Sequence, residues 1–119
     1  MKTERPTSVI LSDRFLKDVK QLSKKYRRVR DDVQVLIDEL EKGTILGDQI
    51  PGTAYPVYKV RVKNTDIAKG KSSGYRAIYY LRTSTRIYLV TIYAKSEQIN
   101  INPDAINQII QELGLPSED

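Results

Sequence analysis

The 119-residue chain contains no cysteine and no histidine. Without cysteine there is no disulfide framework and no thiolate zinc site, and without histidine the commonest metal ligand and the commonest general base are absent too. Any chemistry must therefore come from Lys, Arg, Tyr or carboxylates, and neither a metal nor another cofactor is expected. Long apolar runs are also missing. The opening MKTERPTSVILS holds too short an apolar run for a secretory signal, and no stretch approaches the roughly 18 apolar residues of a membrane span. A cytoplasmic protein that does not engage a membrane is expected, folded as one domain over residues 1–119 around a single core.

Acidic residues are scarce in one region. Between Lys59 and Lys95 there are nine Lys/Arg and a single acid, Asp66, while the whole chain carries only +5. The remainder is net acidic, so positive charge is focused on this segment. A focused positive field suits a polyanion, most commonly nucleic acid, although a solvated surface has the same composition.

The elements follow from spacing. Ser8 to Leu11 reads as a short strand and Ser12 as a helix N-cap. Phe15, Leu16, Val19 and Leu22, then Val29, Val33, Leu36, Ile37 and Leu40, recur at helical spacing on either side of a break near Tyr26. This predicts an αα-hairpin closed by Gly43. Its tip, KKYRRVR, presents Lys24, Lys25, Arg27, Arg28 and Arg30, either as a second nucleic-acid contact or simply as an exposed turn. GDQIPG, residues 47–52, reads as a connector, and strands are expected at Val57 to Lys63, Tyr75 to Arg82 and Arg86 to Lys95. After Pro103, the residues Ile106, Ile109, Ile110 and Leu113 mark a terminal helix. The fold class is α+β, with helices covering one face of an antiparallel sheet.

In the strand VYKVRVKN, alternation sends Tyr58, Val60 and Val62 to the core and Lys59, Arg61 and Lys63 to the other face, with cations about 7 Å apart. The neighbouring KGKSSGYR adds Lys69, Lys71 and Arg76. This is not a phosphate-binding P-loop: the first glycine of that pattern would fall on Thr65, and a strand follows instead of a helix. Seven of the eight tyrosines lie between Tyr55 and Tyr93; Tyr79, Tyr80 and Tyr88 sit in apolar runs and belong to the core, while Tyr93 is expected to be exposed and functional.

The run GDQIPG, VYKVRVKN, GKSSGYRAIYYL and IYLVTIYAKSE, preceded by a basic helical hairpin, resembles the RelE/HigB branch of bacterial toxin–antitoxin toxins along nearly the whole chain. The resemblance implies a RelE-like domain that enters the ribosomal A site, contacts 16S rRNA and cuts mRNA there without a metal. It also implies a cognate antitoxin, with operator DNA reached only indirectly through that antitoxin. The cleavage residues it points to are Lys59 as base, Arg76 with Arg61 as support for the phosphorane, and Lys71, Lys95 or Tyr93 at the leaving group, Tyr93 alternatively stacking on a base. Lys63, Lys69, Lys24, Lys25, Arg27, Arg28 and Arg30 would bind RNA or ribosome. Where the best-known RelE-type sites have an arginine and a tyrosine after the last strand, this chain has SEQINI, which leaves the general acid open. The same fold serves ParE-type gyrase poisons, and a non-catalytic RNA-binding relative is the other alternative.

Overall fold

The computed structural model describes residues 7–67, 74–98 and 100–115. Its elements are β1 (Ser8–Leu11), α1 (Asp13–Ser23), α2 (Val29–Glu41), β2 (Asp48–Gln49), β3 (Val57–Val62), β4 (Tyr75–Thr83), β5 (Arg86–Ala94) and α3 (Pro103–Glu112). The strands form one five-stranded sheet in the order β1-β5-β4-β3-β2.

The expected order of elements is observed, with one addition. The connector at 47–52 contains the two-residue strand β2, in which Asp48 and Gln49 pair antiparallel with Lys59 and Tyr58 of β3. Ser12 caps α1 as its sequence suggests. Its hydroxyl accepts from the Phe15 N–H at 3.0 Å and donates to the Val90 carbonyl at 3.0 Å, so the helix start is fastened to β5. The break between α1 and α2 is filled by Tyr26, which is buried with its ring edge-on to Tyr75 at 5.7 Å.

Two expectations are corrected. The sheet is mixed, because β1 runs parallel to β5, with Val9 opposite Ile87; a pairing so distant in sequence leaves no local signature. The helices also cover both faces. Phe15, Val19 and Leu22 of α1 and Val33, Leu36 and Leu40 of α2 pack with Val60, Val62, Tyr75, Ala77 and Tyr79 on one face. On the opposite face Ile106, Ile109 and Ile110 of α3 pack with Val57, Ile78, Tyr80, Tyr88 and Val90. Those strand residues alternate with the first set and need a cover of their own. The cover is partial: α3 spans only part of its face, and the part it leaves open carries the charge.

Candidate functional site

The open half of the α3 face is a cleft of about 620 Å3 lined by Lys59 and Arg61 of β3, Arg76 of β4, Lys95, Asn100, Asp48 and Gly47. The alternation read from VYKVRVKN places Lys59 and Arg61 here, since Tyr58, Val60 and Val62 pack on the hairpin side. Cross-strand register then assembles a row, with Arg61 opposite Arg76 and Arg76 opposite Tyr93.

Arg76 is only 7% exposed. Its Nη1 donates to the Tyr75 carbonyl at 3.2 Å. Burial lowers its pKa, the Arg61 charge lowers it further, and Tyr93 acts the other way. An arginine stays cationic under such a shift, so a desolvated guanidinium faces the cleft. Among the described residues none of Lys59, Arg61, Arg76 and Lys95 forms an ion pair. The Lys59 Nζ donates to the Asn100 side-chain oxygen at 3.4 Å, and Lys95 is anchored by its backbone N–H on the Gly74 carbonyl at 2.9 Å.

Tyr93 corrects its expectation. It is 7% exposed, standing opposite Arg76, and presents no free ring for base stacking. Its hydroxyl has no hydrogen-bond partner among the described residues. Burial raises its pKa and the Arg76 charge opposes that shift. The phenol therefore stays protonated, as a proton donor must.

The remaining cations separate into three groups. Lys63 lies past the end of β3 and outside the cleft, on a shallow apolar groove with Val35, Leu36 and Leu46. Lys24, Lys25, Arg27, Arg28 and Arg30 are exposed around the hairpin tip. Lys25 is paired with Glu97 at 3.1 Å, and this hydrogen bond is the main cause of its raised pKa. Glu97 thus belongs to Lys25 and not to Lys95, and the pair brings the tip within two residues of the cleft-lining Lys95. Lys69 and Lys71 lie outside the described residues.

Sequence reasoning missed Asn100 and Asp48. Asn100 sits in irregular chain before α3, and Asp48 in a strand of two residues, so neither carries a periodic signal. Among the described residues there is no group of three or more His, Cys, Asp or Glu able to hold a metal, and no helix is long and apolar enough to cross a membrane.

Fold and site together define a class: a small α+β domain whose sheet is half covered by a terminal helix, leaving a cationic cleft with the chemistry of a phosphate site. Comparison with known proteins makes the class specific. A family model described as the RelE toxin of the RelE/RelB toxin–antitoxin system matches residues 13–114. The chain belongs to this family and, as such a toxin, has an antitoxin for a partner. A mutant of the E. coli toxin RelE in its free state shares the fold, with a TM-score of 0.55 at 16% identity, covering 93% of this chain and 100% of that one.

Proposed function

We propose that this toxin blocks translation by cutting mRNA in the ribosomal A site, using the substrate's own 2′-hydroxyl as nucleophile and no metal. The observation that carries the reading is the placement of Lys59, Arg61, Arg76 and Lys95 in one open cleft with no carboxylate pairing any of them among the described residues. Cations that serve only solubility have no reason to converge.

The roles follow from chemistry. Attack of the 2′-oxygen on phosphorus forms a 2′,3′-cyclic phosphate and expels the 5′-oxygen, so one proton leaves the 2′-hydroxyl and one joins the leaving group. Lys59, steadied by Asn100, takes the first proton. Arg76, with Arg61 across the strand pair, holds the charge of the phosphorane, which is where a preorganised, water-poor fork acts most strongly. Tyr93 or Lys95 supplies the second proton, with Lys71 as a further candidate. The exposed hairpin tip and Lys63 and Lys69 would contact ribosomal RNA. An open cleft does little to orient a flexible strand, so the ribosome is assigned the task of presenting the codon.

The test is primer-extension mapping of a defined mRNA, free and on programmed ribosomes, with Lys59→Ala and Arg76→Ala. Cuts at the A-site codon only with ribosomes, falling about 100- to 1000-fold in either variant, are expected for lost transition-state contacts. A folded wild-type protein that leaves the mRNA intact refutes the reading; inhibition of gyrase supercoiling by that protein would then assign it to the DNA-directed branch.

A further inference from the structure

Partway along its length β5 changes faces. Ile87 and Leu89 pack under the helical hairpin while Tyr88 and Val90 pack against α3, yet Ile92 and Ala94 join the hairpin side again. Side chains alternate along an unbroken strand, so one extra residue must lie between Leu89 and Ile92. Pairing with β4 locates it. Leu89 is opposite Tyr79 and Thr91 is opposite Ile78, which leaves Val90 and Thr91 to share one partner. This β-bulge puts Tyr93 opposite Arg76 and Lys95 in the cleft lining. In an unbroken ladder the same sequence would send Tyr93 and Lys95 beneath the hairpin and turn Ile92 and Ala94 to the cleft.

Bulges disrupt the ladder locally and leave backbone groups to be satisfied elsewhere. Here the Ile92 N–H donates to Asp18 Oδ2 at 3.2 Å, and the Thr91 hydroxyl donates to the same oxygen. The other carboxylate oxygen accepts from Arg14 Nε at 3.2 Å. On the near side of the bulge Ser12 donates its N–H to the Leu89 carbonyl at 3.1 Å and its hydroxyl to the Val90 carbonyl at 3.0 Å. The start and middle of α1 thus hold the bulge from both ends.

We infer that Asp18 is a positioning residue for the cleft: by holding the bulge at Val90 and Thr91 it keeps Tyr93 and Lys95 on the face of Arg76, without touching substrate itself. The catalytic consequence rests on the reaction proposed above, whereas the structural consequence does not.

The test compares Asp18→Ala, Thr91→Val and Arg14→Ala with a chain lacking Thr91, alone and combined with Asp18→Ala. Deleting Thr91 leaves Val90 opposite Ile78 and every later side chain on its present face, so the ladder closes and Asp18 is no longer needed. One readout is structural: nuclear Overhauser contacts between the Tyr93 ring and the Arg76 side chain, with exchange protection of the Ile92 amide. The other is kcat and KM for cleavage on ribosomes. Asp18→Ala is expected to lose the amide protection, weaken the contacts and lower kcat about 10- to 100-fold at unchanged KM, the scale set by a small misplacement of reacting groups. Thr91→Val should do the same to a lesser degree and Arg14→Ala should do neither. Deletion of Thr91 should restore the Tyr93–Arg76 contacts and kcat in the Asp18→Ala background, whereas the Ile92 amide, whose acceptor is the Asp18 carboxylate, should stay unprotected there. Wild-type contacts and kcat in Asp18→Ala, or a loss of either that the deletion fails to restore, overturns the inference. Should Asp18→Ala not fold, unchanged contacts and kcat in Thr91→Val overturn it equally. If the unaltered protein cuts no RNA, the proposed reaction falls, while the contacts and the amide exchange still decide the role of Asp18.

Discussion

Arg61 and Arg76 stand opposite one another on neighbouring strands, an arrangement that sets two like charges face to face. Like charges at directly paired positions destabilise a sheet, and the Arg61 charge is felt at Arg76 as a lowered pKa. In the proposed reaction the two arginines therefore separate stability from activity. Arg61→Ala should raise the thermal midpoint, by the equivalent of about 0.2–1 kcal/mol, while slowing cleavage at least tenfold. Arg76→Lys should keep the fold but lose about 100-fold in kcat, because a point charge does not replace a planar two-point grip. Calorimetry and single-turnover cleavage on the same preparations check both. A fall in stability with Arg61→Ala would show that its contacts, and not its repulsion of Arg76, dominate.

Among the elements, the cleft depends on how closely the chain before β2 can lie against β3. Gly47 has a φ of 81°, and a Cβ there would sit 2.2 Å from the Lys59 carbonyl oxygen, a backbone atom that cannot move aside. Gly47→Ala should cost about 1–3 kcal/mol through the strained conformation, and lower cleavage further by pushing Lys59 away from Asn100. Denaturant unfolding with cleavage assays checks this, and an unchanged midpoint would mean the connector simply detaches. The same scale explains what the sequence disclosed. The helices and the β3 face were legible because Phe15, Val19 and Leu22 repeat at helical spacing and Lys59 and Arg61 alternate with Val60 and Val62. Ser12 was legible because capping is a local hydrogen bond. Tyr93 was misjudged because its exposure was read from the basic residues near it in sequence, whereas its burial comes from packing beside Arg76 across the strand pair, which neighbours in sequence do not reveal. The parallel β1–β5 pairing and the Lys59–Asn100 contact join residues far apart in sequence, and α3 escaped assignment to its own face because both core faces of β4, Tyr79 and Ile78, are equally apolar.

For the molecule as a whole, the buried tyrosines determine its tolerance of alkali. Burial pushes Tyr79 up to about 12, against the pull of its hydrogen bond from the Leu46 backbone, and raises Tyr75 and Tyr93 as well. In the unfolded chain a phenol ionises near about pH 10. Below that value both states keep these protons and the stability is fully present. Above it the unfolded chain releases them first, so stability falls as pH rises from about 10 through about 12. Thermal midpoints followed from about pH 8 upward, with tyrosinate absorbance recorded alongside, should show buried phenols ionising together with unfolding; gradual ionisation of a still-folded chain would contradict it. The half-covered face has one more consequence. Because its uncovered strands hold positive charge with no carboxylate partner among the described residues, any polyanion seated there would relieve a repulsion built into the empty sheet and bind the folded chain in preference to the unfolded one. A polyanion held in the cleft is therefore expected to act as a chaperone for its host, raising the stability of the folded toxin.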